Sequence, residues 1–204
     1  TPSYRREIRM SIDAESIKTL RERTGAGILD CKNTLEKMGG DMDKAAEILR
    51  KKGFQVAEKK ATRTTNEGRI GSYIHFNGKV GVLLELNCES DFVARNEGVE
   101  QLMKDLCMQV TAASPLAVSR EDVPKEEVER QKEAFKKVAA DKPPQIQEKI
   151  IQGKLESFYK EKCLLDQPFI KDDTQTIKDV INICVAKVGE NIRVRRFARF
   201  EVGQ

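Results

Sequence analysis

The sequence predicts an α+β protein, a small amino-terminal helical module followed by a core of antiparallel strands packed with helices. Three observations carry that expectation. Residues 10–55 hold short runs of helical apolar spacing separated by glycines. Residues 69–88 hold two runs of strand character around Asn77-Gly78, and residues 191–202 alternate side-chain character as a further strand does.

Thr1 to Arg9 is basic and unpatterned, and Met10 resembles a natural start, so residues 1–9 are expected to be a leader remnant or an appended tail. From Ser16 to Arg23, Ile17 and Leu20 share one helical stripe, and Thr24-Gly25-Ala26-Gly27 ends it with two glycines that relieve the steric limits on a tight turn. A second helix carries Ile28, Leu29, Cys31 and Leu35 and closes at Gly39-Gly40. Asp41 is the expected N-cap of a third, which runs through Ala45, Ala46, Ile48 and Leu49 to a stop at Gly53. Three helices of this size bury few side chains, which suits them to presenting a surface. Residues 56–68 are polar and read as a linker or a frayed helix tail.

Two strands, Arg69 to Phe76 and Lys79 to Cys88, flank Asn77-Gly78, a turn pair that tolerates positive φ at both positions. Val80, Val82, Leu84, Leu86 and Cys88 alternate and so share a buried face. A helix is expected over Asp91 to Ala112, a charged helix over Pro124 to Ala139, and one or two more from Ile146 to Tyr159. The loop Leu164-Leu165-Asp166-Gln167-Pro168-Phe169 precedes a helix from Thr176 to Val188, stopped by Gly189. In the terminal strand, Ile192, Val194, Arg196, Ala198, Phe200 and Val202 alternate with Arg193, Arg195, Phe197, Arg199 and Glu201.

Composition narrows the function. The chain is 39% hydrophobic and 34% charged, and no apolar run approaches the roughly 18 residues a membrane span needs. No membrane association is expected, and a reducing, cytosolic setting is the default. Thirty-seven basic against 33 acidic residues give a net charge of +4, too balanced to imply nucleic-acid binding from bulk charge. The five cysteines form no C-x-x-C pair, so no metal site is expected. No phosphate-cradling glycine loop occurs, so no nucleotide cofactor is expected either. His75, the only histidine, has no nucleophile beside it in sequence, and the carboxylates are scattered; the chain is not expected to be an enzyme.

The most informative segment is Cys88-Glu89-Ser90-Asp91-Phe92-Val93-Ala94-Arg95-Asn96-Glu97, where a strand ends and an acidic residue stands beside a bulky aromatic at a helix start. A Phe at a strand end ordinarily folds back onto the core. Here the surroundings point instead to a junction that meets a partner.

The run from Leu20 to Lys32, LRERTGAGILDCK, and the run from Glu85 to Arg95, ELNCESDFVAR, closely resemble the two signatures of the elongation factor Ts family. The likeness continues through Leu164 to Asp172 and Gly189 to Phe197. The resemblance implies a guanine nucleotide exchange factor for elongation factor Tu, with an amino-terminal module similar to ubiquitin-associated (UBA) domains. It places Asp91 and Phe92 near the partner's magnesium and phosphate site, with Ser90 and Val93 setting the helix start. Further contact candidates are Arg23, Thr24, Gly25, Gly27 and Ile28, although the glycines serve equally to close the turn, and His75. Ser90 stands where the family usually has Thr, and Thr34 where a small apolar residue is usual; a Ser hydroxyl supplies the same cap.

The chain is similar to the short form of the family, in which a homodimer would complete the contact surface, with the terminal strand and its Phe197 and Phe200 as the candidate edge. Its expected location is a bacterial cytoplasm or an organelle matrix. The rival reading is an RNA-binding or ribosome-associated protein that uses Arg193, Arg195, Arg196 and Arg199 with Lys59, Lys60 and Arg63. No nucleic-acid partner is expected on the favoured reading, since a solvated arginine strand is more often only that.

Overall fold

The computed structural model describes residues 12–203; the stretch expected to be a leader lies outside them. The chain divides into two units, one running to Arg63 and taking in Asn182–Asn191, the other comprising Thr64–Ile181 and the residues from Ile192 onward.

In the first unit, three helices follow one another: α1 (Ala14–Thr24), α2 (Ile28–Lys37) and α3 (Met42–Lys60). Their starts and stops are local chemistry. The Asp13 carboxylate accepts from the Ser16 N–H, and the Asp41 carboxylate from the Lys44 N–H at 3.0 Å. Gly25, at φ 69°, ends α1 with its N–H on the Arg21 carbonyl at 2.8 Å. Leu20, Cys31, Leu35, Ala45, Ala46 and Leu49 are buried together as the unit's core. The stop expected at Gly53 does not occur. A Cβ at Gly53 would stand 3.4 Å from the Ala186 Cβ, so this glycine serves close packing within a continuing helix. The stretch read as a linker or a frayed helix tail is therefore helical as far as Lys60. Lys60 Nζ reaches the Gly189 carbonyl, and the Asn191 amide donates to the Ala61 and Arg63 carbonyls, at 3.3 and 2.9 Å.

The second unit opens with the hairpin β1 (Glu67–Ile74) and β2 (Val80–Cys88), then α4 (Asp91–Ala94) and α5 (Glu97–Ala113). A helical pair follows, α6 (Lys125–Val138) and α7 (Pro144–Lys162), which packs Val128, Phe135 and Tyr159 against buried Ala117, Val123, Phe158 and Cys163. The segment read as a loop, Leu164 to Phe169, ends in β3 (Pro168–Phe169), which pairs with β4 (Asp172–Thr176) just beyond it in a two-stranded ribbon too short to leave a periodicity in sequence. Helix α8 (Ile177–Val188), counted with the first unit from Asn182 onward, leads to β5 (Ile192–Glu201). The main sheet is antiparallel in the order β1-β2-β5. Helix α5 covers one face of it, burying Val82, Leu84 and Leu86 against Val99, Met103 and Leu106. On the other face Ile70, Ile74, Leu83 and Phe200 are exposed.

Three expectations for this unit need correction. At the hairpin, only Gly78 takes positive φ; Asn77 does not. The Gly78 N–H donates to the His75 carbonyl at 2.8 Å, which centres the turn on Phe76-Asn77, and the Asn77 side chain accepts the Lys79 N–H at 3.0 Å. In β5 the simple alternation fails, because Leu86 pairs with Val194 while Glu85 pairs with Arg196. The extra residue, Arg195, forms a bulge, so Ile192 and Val194 are buried on the α5 side and Arg196, Ala198 and Phe200 turn to the open face. The helix expected over Asp91 to Ala112 is interrupted at Arg95-Asn96.

Candidate functional site

Strand β2 ends with Cys88 buried, and the chain turns at Ser90, which is extended (φ −133°, ψ 151°). Its hydroxyl accepts the Val93 N–H at 3.3 Å and its carbonyl the Ala94 N–H at 3.2 Å, so Ser90 acts as the N-cap expected of it. Helix α4 lasts one turn. Val93 and Ala94 are 6% and 3% exposed and pin that turn to the core, whereas Phe92 is 83% exposed. The ring does not fold back onto the protein.

Asp91, also exposed, is held by Arg95, whose Nε and Nη2 each lie 3.0 Å from Asp91 Oδ2. Asn96 then caps α5. Its side chain accepts the Gly98 N–H and its carbonyl accepts the N–H groups of Val99 and Glu100, each at 2.9 Å. Arg69 on β1 pairs with Glu100, and these two residues, with Asp91 and Arg95, line a cleft of about 490 Å³.

The other candidates are placed separately. His75 stands at the far end of the hairpin from Ser90, roughly 30 Å away by the rise of nine strand residues. Its ring is half-buried, 4.3 Å from the Phe76 ring and 6.3 Å from Tyr73, and Phe76 is fully exposed at the tip. In the first unit, the buried Thr24 hydroxyl donates to the Leu20 carbonyl at 2.7 Å and accepts the Ala26 N–H. A Cβ on Gly25 would meet the Lys187 stem at 2.7 Å. Thr24 and Gly25 therefore shape the turn. Gly27 begins α2 in an extended conformation, Ile28 is exposed, and Arg23 pairs with Asp43 at 2.8 Å.

Sequence reasoning missed Leu29, exposed beside Ile28, and Phe76, exposed beside His75. It also missed Arg95, although an acid and a base four residues apart were a signal for that pair. Of the arginines behind the RNA reading, Arg196 pairs with Glu85 at 2.8 Å and Arg199 with Glu201 at 2.6 Å, while Arg193 and Arg195 face solvent.

The described residues that line the Asp91 cleft are two carboxylates and two guanidiniums. Burial pushes the thiols of Cys107, Cys163 and Cys184 up to about 11, and Cys31 upward as well. Among the described residues no group of three His, Cys, Asp or Glu side chains is placed to hold a metal, and no helix is long and apolar enough to cross a membrane. The arrangement offers an exposed aromatic and a carboxylate on an anchored turn, a surface for binding.

The profile of the family described as Elongation factor TS matches residues 34–204. Elongation factor Ts of Thermotoga petrophila is 57% identical over 195 residues, covering 96% of this chain and 98% of that protein. Its counterpart in Thermodesulfovibrio yellowstonii is 57% identical over 196 residues with the same coverage, and that of an Anaeromyxobacter species 53% identical over 195 residues, covering 95% and 89%. The chain belongs to the elongation factor Ts family.

Proposed function

We propose that the Asp91-Phe92 pair is the surface through which this chain opens the nucleotide site of its partner. As a member of the elongation factor Ts family, the chain is a guanine nucleotide exchange factor for elongation factor Tu in translation elongation. It performs no covalent chemistry of its own. The observation that carries the role of the pair is the exposure of Phe92 on a turn whose next two residues are buried. A large apolar side chain held rigidly in water has its use in a complex.

In that complex Phe92 acts as a wedge between packed elements of the partner. Asp91 competes for the groups that hold the water shell of the Mg²⁺ bridging the nucleotide phosphates. Ser90 and Val93 fix the turn from either side. Exchange then follows from linkage: the chain prefers the nucleotide-free partner to the GDP-bound one, and GDP weakens its hold by the same factor.

Further contacts come from His75 with Phe76 at the hairpin tip, and from Arg23, Gly27 and Ile28 on the amino-terminal helices, which we read as a UBA-like module. Thr24 and Gly25 shape that loop. A homodimer forms through the open face of the sheet, where Ile74, Leu83 and Phe200 are exposed, and its test is the mass of the chain in sedimentation before and after Leu83→Glu. The setting is a bacterial cytoplasm or an organelle matrix.

The function is tested by release of a fluorescent GDP analogue from elongation factor Tu under excess unlabelled GDP, with catalytic amounts of this chain. Accelerated release supports the reading. An unchanged rate with folded chain and active partner overturns it, and salt-dependent RNA binding would then favour the rival.

A further inference from the structure

We propose that Arg95 is the positioning residue for Asp91, a role that rests on reading Asp91 and Phe92 as the exchange surface. Two nitrogens of one guanidinium, Nε and Nη2, converge at 3.0 Å on the single oxygen Oδ2. The other carboxylate oxygen, Oδ1, has no partner among the described residues. The arginine is itself tied to the turn it serves, because its backbone N–H donates to the Phe92 carbonyl at 3.3 Å. Glu100, the other carboxylate that lines the cleft, is engaged by Arg69.

The consequence is an Asp91 side chain set in one orientation before the partner arrives, with Oδ2 held and Oδ1 turned free for use. Without Arg95 the carboxylate samples its other rotamers, and docking must restore the productive one. The guanidinium fork matters here, since a lysine ammonium supplies the charge without the planar geometry. The pair is largely exposed, at 72% for Arg95 and 57% for Asp91. Its effect is therefore modest, a roughly twofold to fivefold change in exchange, and salt reduces it.

The test is a double-mutant cycle on stimulated GDP release from elongation factor Tu, with Arg95→Gln and Arg95→Lys made alone and each combined with Asp91→Asn. Release is measured against chain concentration, to separate apparent affinity from maximal rate, and at two ionic strengths. Arg95→Gln is expected to lower the second-order rate constant about twofold to fivefold at low salt with an unchanged thermal midpoint. Arg95→Lys recovers part of the loss. In the Asp91→Asn background, Arg95→Gln has no further effect. An Arg95→Gln loss that persists undiminished in that background, or an Arg95→Gln chain that matches the parent, overturns the positioning role while leaving the exchange surface standing. An Asp91→Asn chain with full activity removes Asp91 from the exchange surface, and the proposal with it.

Discussion

Truncating Phe92 to alanine separates what this side chain does from what it contributes to the fold. The residue is 83% exposed, so the protein covers only about a sixth of it. For a Phe that can bury roughly 200 Å², the covered share is about 35 Å², and at roughly 25 cal/mol per Å² its loss costs the fold under ~1 kcal/mol. The uncovered remainder, roughly 165 Å², is what a partner can bury, which by the same coefficient is about 4 kcal/mol. Apolar anchors at interface centres cost about 2 to 4 kcal/mol on truncation, so the second-order constant for stimulated GDP release should fall roughly 30-fold to 1,000-fold. The assay pairs that rate with a thermal melt of the free chain. A Phe92→Ala chain that melts as the parent does and still exchanges within threefold of it would refute the wedge; a midpoint many degrees lower would contradict the exposed ring.

Three other outcomes follow from the packing. Gly71→Ala would set a Cβ 2.3 Å from the Met103 Cγ, so it should destabilise the second unit by about 1 to 3 kcal/mol, and a shorter residue at 103 should return part of that loss in a denaturant titration. Gln109 is 1% exposed and joins Gln167 (3.1 Å), the Pro168 carbonyl (3.1 Å) and the Ile170 N–H (2.9 Å); Gln109→Leu orphans all three, at about 2 to 4 kcal/mol, and a loss under about 1 kcal/mol would show that the network relaxes. Cys107, Cys163 and Cys184, raised by burial from 9.0 to about 11, favour the folded state while neutral, so their stabilisation is complete below pH 9 and lost as pH rises through about 11. Native chain should therefore resist alkylation at pH 8 and lose stability across that window, which an unfolding series at fixed ionic strength would reveal.

What was legible in the sequence was whatever short-range chemistry decides. Asp41 and Ser90 act as caps because a short oxygen-bearing side chain before a helix has a free N–H to accept, whatever surrounds it. Val82, Leu84, Leu86 and Cys88 are buried because strand alternation leaves them one shared face. What escaped depended on partners distant in the chain. Gly53 comes after the last apolar positions of its helix, Ile48 and Leu49, as a stop would, yet Ala186 makes it a packing glycine. Arg195 cannot be recognised as a bulge until β5 is laid against β2. At the candidate site, the cap at Ser90 and an acid-aromatic pair turned away from the core were legible from Ser90 to Val93, whereas the helix break at Arg95-Asn96 that goes with the exposure of Phe92 was not.

That exposure depends on the helix break that periodicity alone passes over. Seven residues separate Phe92 from Val99, close to two helical turns, and Met103, Leu106 and Val110 continue the same buried stripe on α5. In one unbroken helix from Asp91 to Ala112, Phe92 would join that stripe and face the sheet. The chain instead stops α4 at Ala94 and restarts at Glu97, with Asn96 capping the new helix through its side chain and carbonyl. Val93 and Ala94 take the inward positions of the isolated turn, and Asp91 and Phe92 are left outside. An apolar ring that the core could have absorbed is thus held in water by a polar cap four residues further on. Selection for stability alone gives no reason for that arrangement, whereas the exchange surface proposed for Asp91 and Phe92 calls for it, because a ring buried in the free chain would have to leave the core before it could enter a partner.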